Sequence, residues 1–475
     1  MSRFLQYKKW LAVLVVPFLF ACSDSNNNDA GTDPEGPGDG GEMQATQLRL
    51  THASPDAPAV NVYIDGELAL GGVEFKQSSG LVTFDDTTDV VVEVRGILPD
   101  ESEVSVIGPV TLTLEGGIRT DVLAIGNLFD SEGNLTIAPK VLDGVEIEDG
   151  ITDVRVSVVH AAPGVGTVDI YVTAPGDELS AASPITASFE DAAGPVALAA
   201  DTQYRIRITP TGTSTVVFDS GTLSFAAGTE LVVAAVENTY KVGPSPVTLL
   251  AIGAEGASEV LDAGQWGAVR VVHNSADTPP VDVLVDGAEV LDAVPFTAAS
   301  AYSDIEAAPG TYMVTVAADA DNSIAPIMAE LPIAAAQSQT VIAIGSFADS
   351  SITALVTDDD RRNIATAAIV EVIHGSYLVA AEIPVDVYLT ADGVIADAEP
   401  AIPNLAYGET TGQLPLTPGD YWVTVTAAGD KSVVAFDSGA PLALEGGVNY
   451  TVIARDPSAE EVTGSPLINV ILLTD

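Results

Sequence analysis

Most of the chain follows one pattern: Val, Ile and Leu alternate with polar residues over five to eight positions, and pairs such as Asp65-Gly66, Gly116-Gly117 and Pro309-Gly310 fall between the runs. A period of two puts successive side chains on opposite faces of a β-strand, and such pairs close tight turns. Long helical periodicity is missing. The pattern predicts an all-β protein built from short antiparallel strands.

The runs recur as a larger unit. LRLTHASPDAPAVNVYIDG begins at Leu48, VRVSVVHAAPGVGTVDIYV at Val154, VRVVHNSADTPPVDVLVDG at Val269 and VEVIHGSYLVAAEIPVDVYLTADG at Val370. Related segments follow later in the copies, among them PGTYMVTVAAD from Pro309 and PGDYWVTVTAAG from Pro418, and FDSGTLSFAAGTELVVAAV from Phe218 and FDSGAPLALEGGVNYTVIA from Phe436. A spacing of about a hundred residues exceeds the roughly 20 to 50 of a solenoid unit, so each copy is expected to be a domain with its own core. About seven strands per copy suggest a two-sheet sandwich of immunoglobulin-like type, with a small barrel as the alternative. The expected organisation is four tandem immunoglobulin-like β-sandwich domains at residues 46–145, 152–255, 266–360 and 366–475, after a signal peptide at 1–21 and a disordered tether at 22–45.

These motifs resemble the family catalogued as domain of unknown function 4397, whose members carry an HxSPDAPxVDVYVDG-like opening and a later PGxYxVxVxxAG strand. The resemblance covers the chain from about residue 46 to 475 and is most specific at Pro55-Asp56-Ala57-Pro58. Later copies depart from it: Ala162-Pro163-Gly164, Ser275-Ala276-Asp277 and Ser376-Tyr377-Leu378 stand where the first has Ser54-Pro55-Asp56. The resemblance implies an envelope or surface protein, often a lipoprotein, of unestablished biochemical role, and it supplies no catalytic residues.

The N-terminus gives an address. Arg3, Lys8 and Lys9 precede an apolar run too short to span a bilayer comfortably, and Leu19-Phe20-Ala21-Cys22 follows it. That tetrad resembles a bacterial lipobox, and Cys22 is the only cysteine in the chain. Lipidation there would hold the protein on a bilayer at about 0.8 kcal/mol per buried CH₂. Ser23 resembles the outer-membrane sorting case. Residues beyond Cys22 to about 45 are rich in Gly, Pro, Asp and Asn and cannot bury enough surface to fold. With no cysteine pair, the domains must be held by packing alone.

Charge narrows the partners. The chain has 17 Lys plus Arg against 67 Asp plus Glu, a formal net charge of -50. Such a surface repels phosphate backbones, which excludes nucleic acid as a partner, and it suits a saline setting.

Each copy contributes one histidine, His52, His160, His273 and His374, at the end of an apolar row such as Leu48, Leu50, His52. The expected role is structural: a ring at the rim of the core, bonded either to a loop carbonyl or to the polar residue further on, Asn61, Asp169, Asp282 or Asp386. Alternation places that polar residue on the opposite face of its strand, which weakens the second pairing. One histidine per domain without thiols makes a poor metal site, and His52, Ser54 and Asp56 lie too close along one strand end for a triad. HExxH, GxSxG and P-loop patterns are missing.

The linker carboxylates Asp143, Glu146, Glu148, Asp149 and Asp153 are candidates for calcium, which takes six to eight oxygens. TDDDRRN, from Thr357, is weaker because Arg361 and Arg362 neutralise part of it. Trp266 and Trp422 are candidates for stacking on sugar, with packing at a domain junction the blander use of Trp266. The expected function is a non-enzymatic, lipid-anchored envelope protein, structural or adhesive, that binds a protein or polysaccharide through its loops. A calcium- or carbohydrate-binding module is the alternative.

Overall fold

The period-two runs become strands. The computed structural model describes residues 44–148, 150–306, 309–380, 384–458, 461 and 467–475. The signal segment, Cys22, most of the tether and Asp149 lie outside these. Eight sheets form, two for each copy, and the copies occupy residues 46–146, 154–260, 267–359 and 368–474.

The first copy shows the plan. One sheet runs Val82–Phe84, Thr46–His52, Ile118–Ile125, Ala138–Val141, and the other runs Glu67–Val73, Val60–Ile64, Thr88–Ile97, Glu103–Leu114. Neighbours are antiparallel except the central pair of the first sheet, where Thr46–His52 lies parallel to Ile118–Ile125. Parallel strands cannot be joined by a hairpin, and here the whole second sheet forms the crossover. The same parallel pairing of the histidine strand recurs with Glu230–Glu237, Ser338–Ile344 and Val448–Arg455. The copies have nine, ten, eight and nine strands among the described residues, more than the roughly seven the sequence suggests, and each histidine sheet has a further strand, such as Thr353–Asp359, beside its parallel pair.

Inward residues of the two sheets meet inside each copy, in one cluster in the first and second copies and in two in the third and fourth. Leu48, Leu50 and Val122 from the first sheet face Val62, Val92 and Val94 from the second. Val154, Val156 and Val233 meet Ile170, Ile206 and Ile208 in the second copy.

The outer face of each histidine sheet is buried as well. Leu123, Ile125 and Leu142 of the first copy pack against Val159, Val232, Val236 and Ile252 of the second. Val272, Ile342 and Ile344 of the third pack likewise against Ile373, Ile453 and Ile471 of the fourth. A strand buried on both faces needs an unbroken apolar run rather than alternation, and Val232 to Val236 is one. The expectation that each copy closes around its own core therefore describes only half of the packing: the copies are joined in twos, sheet against sheet.

Charged groups bridge these joints. Arg119 reaches Glu230 at 2.8 Å and Lys76 reaches Glu259 at 2.6 Å between the first and second copies. Arg270 reaches Asp475 at 3.0 Å between the third and fourth. The connection from third to fourth copy ties the two pairs together: Arg362 Nε donates to the carbonyl of Pro55 at 2.8 Å, its Nη2 donates to that of Ala57, and the Ala365 amide donates to that of Asp56. Among the described residues no helix is long and apolar enough to cross a membrane.

Candidate functional site

The repeated histidines end the central strand of their sheets, and all four are at most 2% exposed. Nε2 of His52 lies 3.0 Å from the Pro58 carbonyl, that of His160 3.1 Å from Gly166 and that of His273 3.2 Å from Pro279, in each case six residues on. Nδ1 accepts the amide of the second following residue, Ser54, Ala162 or Ser275, at 3.3 Å. A backbone amide can only donate and a carbonyl only accept, so the geometry requires a neutral ring with its proton on Nε2. For His374 neither ring nitrogen has a partner among the described residues. The stretch that follows it includes residues 381–383, outside them.

An aromatic ring stands edge-on to every imidazole: Phe75 at 6.2 Å, Phe189 at 6.5 Å, Phe296 at 6.1 Å and Tyr407 at 6.2 Å between centroids. The residue after the aromatic has positive φ in all four copies: Lys76, Glu190, Thr297 and Gly408. Its amide donates to the carbonyl of the histidine. Burial drives the His52 pKa down to about 4, assisted by the charge of Arg362 and opposed by the Pro58 carbonyl. Burial takes His374 to about 4 as well, and it lowers His273 against the pull of the Pro279 carbonyl.

The side chains of Ser54 and Asp56 bond elsewhere than the ring. The Ser54 hydroxyl donates to the Gly126 carbonyl at 2.6 Å, and Asp56 accepts the Leu128 amide at 2.7 Å. Asp277 holds the amides of Phe347 and Ala348 in the same way. These side chains stitch the loop after the histidine onto the turn that leaves the parallel strand. SPDAP of the first copy and DDDRRN before the fourth are remote in sequence, and Arg362 brings them together.

The polar residue on the second strand has another task. Asn61 accepts the Gly72 amide at 2.8 Å, Asp282 that of Ala293 at 2.9 Å, and Asp386 those of Asn404 and Gly429 at 2.8 Å each. Asp169 accepts the Thr186 hydroxyl at 2.6 Å and the Gly212 amide at 2.9 Å. They clamp neighbouring strands, and in the first, third and fourth copies the pairing beside them shifts register.

The acidic linker is partly neutralised. Glu148 lies 2.7 Å and Asp153 3.9 Å from Arg155. Asp143 and Glu146 are exposed, and Asp149 is outside the described residues. Among the described residues the carboxylates that gather are Asp282, Asp292 and Asp319, with oxygens within 4.8 Å of one another. They come from two strands and a loop of a single copy, so no linear spacing announces them. The Trp266 ring lies against Gly243 at the junction of second and third copies, and that of Trp422 against the Gly393 turn.

No curated protein matches the chain. Among solved structures, "The Bacillus anthracis TIE protein" aligns over 87% of this chain and 69% of that chain at 9% identity, with a TM-score of 0.13, too low to carry an argument. The family described as "Domain of unknown function (DUF4397)" matches three times, at residues 46–171, 154–253 and 267–388. These segments span more than half of the 475 residues, and the chain belongs to that family.

Proposed function

We propose that this is an exported, lipid-anchored, non-enzymatic envelope protein. Four immunoglobulin-like sandwiches, joined in twos, form a scaffold whose loops bind a protein or polysaccharide. The observation that carries this reading is the use made of the motif in the first copy, where His52, Ser54 and Asp56 are all occupied by main-chain groups. Loops on a rigid sandwich are where contacts are made. Cys22 is the anchor, through acyl chains in the bilayer, and the outer membrane is the site suggested by Ser23.

The test is metabolic labelling with an alkynyl palmitate in cells that make the chain, followed by protease shaving of intact cells. Label on the wild type and its loss in Cys22→Ser support the anchor, and an unlabelled wild type removes it. Surface-bound protein is then applied to a glycan array and to envelope extracts with a scrambled-loop control. Millimolar calcium that raised the melting temperature would favour the calcium-binding alternative, with Asp282, Asp292 and Asp319 the first residues to replace.

A further inference from the structure

The two sheets of the second copy meet in a shared core but leave part of the space between them unfilled. Between them lies a cavity of about 350 Å³, bounded by Val156 and Val196 on the histidine sheet, Ile170, Ile185 and Tyr204 on the other, and Phe225 at one end. The corresponding space in the first copy is filled down to about 40 Å³, so the architecture does not require the void.

Local sequence explains the difference. In the first copy the Asp65-Gly66 turn leads straight into the seven-residue strand Glu67–Val73, and the twelve-residue strand Glu103–Leu114 covers the far side. In the second copy, residues 174–184 make a loop with a short 3₁₀ turn at Leu179–Ala181, and the strand after it is only Ile185–Ala187. The far side is reduced to Phe218–Asp219 and Leu223–Ser224. Fewer side chains enter the space between the sheets. The facing edge strand, Ala192–Leu198, is exposed along nearly its whole length, and Val196, which lines the cavity, is 43% exposed. The cavity therefore reaches solvent at that edge.

Its chemistry specifies an occupant. None of the lining residues is charged, and the only side-chain polar groups are the hydroxyls of Ser183 and Tyr204, the latter already donating to the Ala199 carbonyl. Water gains little in such walls, because each molecule seeks two to four polar partners. Asp177 and Glu178 belong to the loop that supplies Ser183, and the chain as a whole carries a net charge of -50, so an anionic head group is disfavoured. Sheets about 10 Å apart admit a single thin layer. The volume corresponds to about a dozen groups of water or methylene size at roughly 30 Å³ each.

We propose that the second copy binds an uncharged, mainly aliphatic molecule of about a dozen carbons between its sheets, entering past Val196. This site is independent of the anchoring reading above. The test uses the full chain carrying Cys22→Ser, so that no attached lipid competes. Titration with the uncharged fluorophore N-phenyl-1-naphthylamine should saturate at one site per chain. Dodecan-1-ol should displace it at a concentration at least tenfold lower than dodecanoate does. Val196→Trp, at an exposed position, should weaken both ligands at least tenfold at an unchanged melting temperature, and Ala235→Phe should do the same from inside. Crystals soaked with 12-bromododecan-1-ol should show the bromine between these two sheets. Absence of saturable binding, equal displacement by the carboxylate, full affinity in a folded Val196→Trp variant, or bromine elsewhere would each overturn the proposal.

Discussion

His52 illustrates how a titratable side chain becomes a building part. Its Nδ1 takes an amide and its Nε2 serves a carbonyl, so a second proton finds no acceptor, and burial opposes the charge. The unfolded chain takes up that proton below pH 6.5, whereas the folded chain resists it down to about 4. In that window the unfolded state binds more protons, so stability falls as pH falls. The contribution of His52 is fully present above pH 6.5 and lost towards pH 4, amounting to roughly 3 kcal/mol. His52→Gln, whose side chain does not titrate, is expected to lose this slope. Urea midpoints of both chains from pH 7.5 to 4 should converge on acidification, and parallel curves would refute the assignment. The four histidines are readable in the sequence because each ends an apolar row. Their aromatic partners are not: Phe75 and Phe296 follow at a common distance, but insertions displace Phe189 and Tyr407, and a ring that meets its neighbour across a sheet leaves no local pattern.

At the scale of the element, the turn after each aromatic explains how the edge strand is delivered to the histidine strand. Its residue must be left-handed so that its amide can turn back to the histidine carbonyl. Thr297 does so with φ of 74°, a position at which a β-branched residue is an outlier, while the fourth copy uses Gly408 with φ of 77°. Thr297→Gly is therefore expected to stabilise the chain by about 1 kcal/mol and Gly408→Thr to destabilise it by a similar amount or more, measured as shifts in urea midpoint. A loss of stability in Thr297→Gly would mean that the threonine side chain makes contacts outweighing its strain. Most strands are legible from alternation and turn pairs. The runs Val232 to Val236 and Val341 to Ile344 belong to a different pattern, the unbroken one of a strand covered on both sides. They are the sequence's trace of the joined copies, visible once alternation is not imposed on every strand.

At the scale of the whole molecule, the joints carry both apolar and ionic weight. Ile342 is fully buried between the third and fourth copies, and Ile342→Asp places an unpaired carboxylate there. The expected cost is at least about 3 kcal/mol, with rapid proteolysis of both copies. A melting temperature within a degree of the wild type would show the joint to be dispensable. Near the other joint, buried Asp121 lies between Arg49 and Arg119, and Arg119 continues to Glu230. Asp121→Asn leaves the buried Arg49 without its counter-charge, while Arg119 keeps Glu230, for about 3 to 5 kcal/mol. Added salt should recover little of it, because buried pairs are weakly screened.

Sheet-to-sheet joining also constrains how such a chain can lengthen or shrink. Every histidine sheet has two apolar sides, one of which is satisfied only by a neighbour, so the stable increment is a couple of copies and not one. A descendant that lost the fourth copy alone would present Val272, Ile342 and Ile344 to solvent. It would have to recruit the bare side of another molecule, turning an inherited deletion into a dimer.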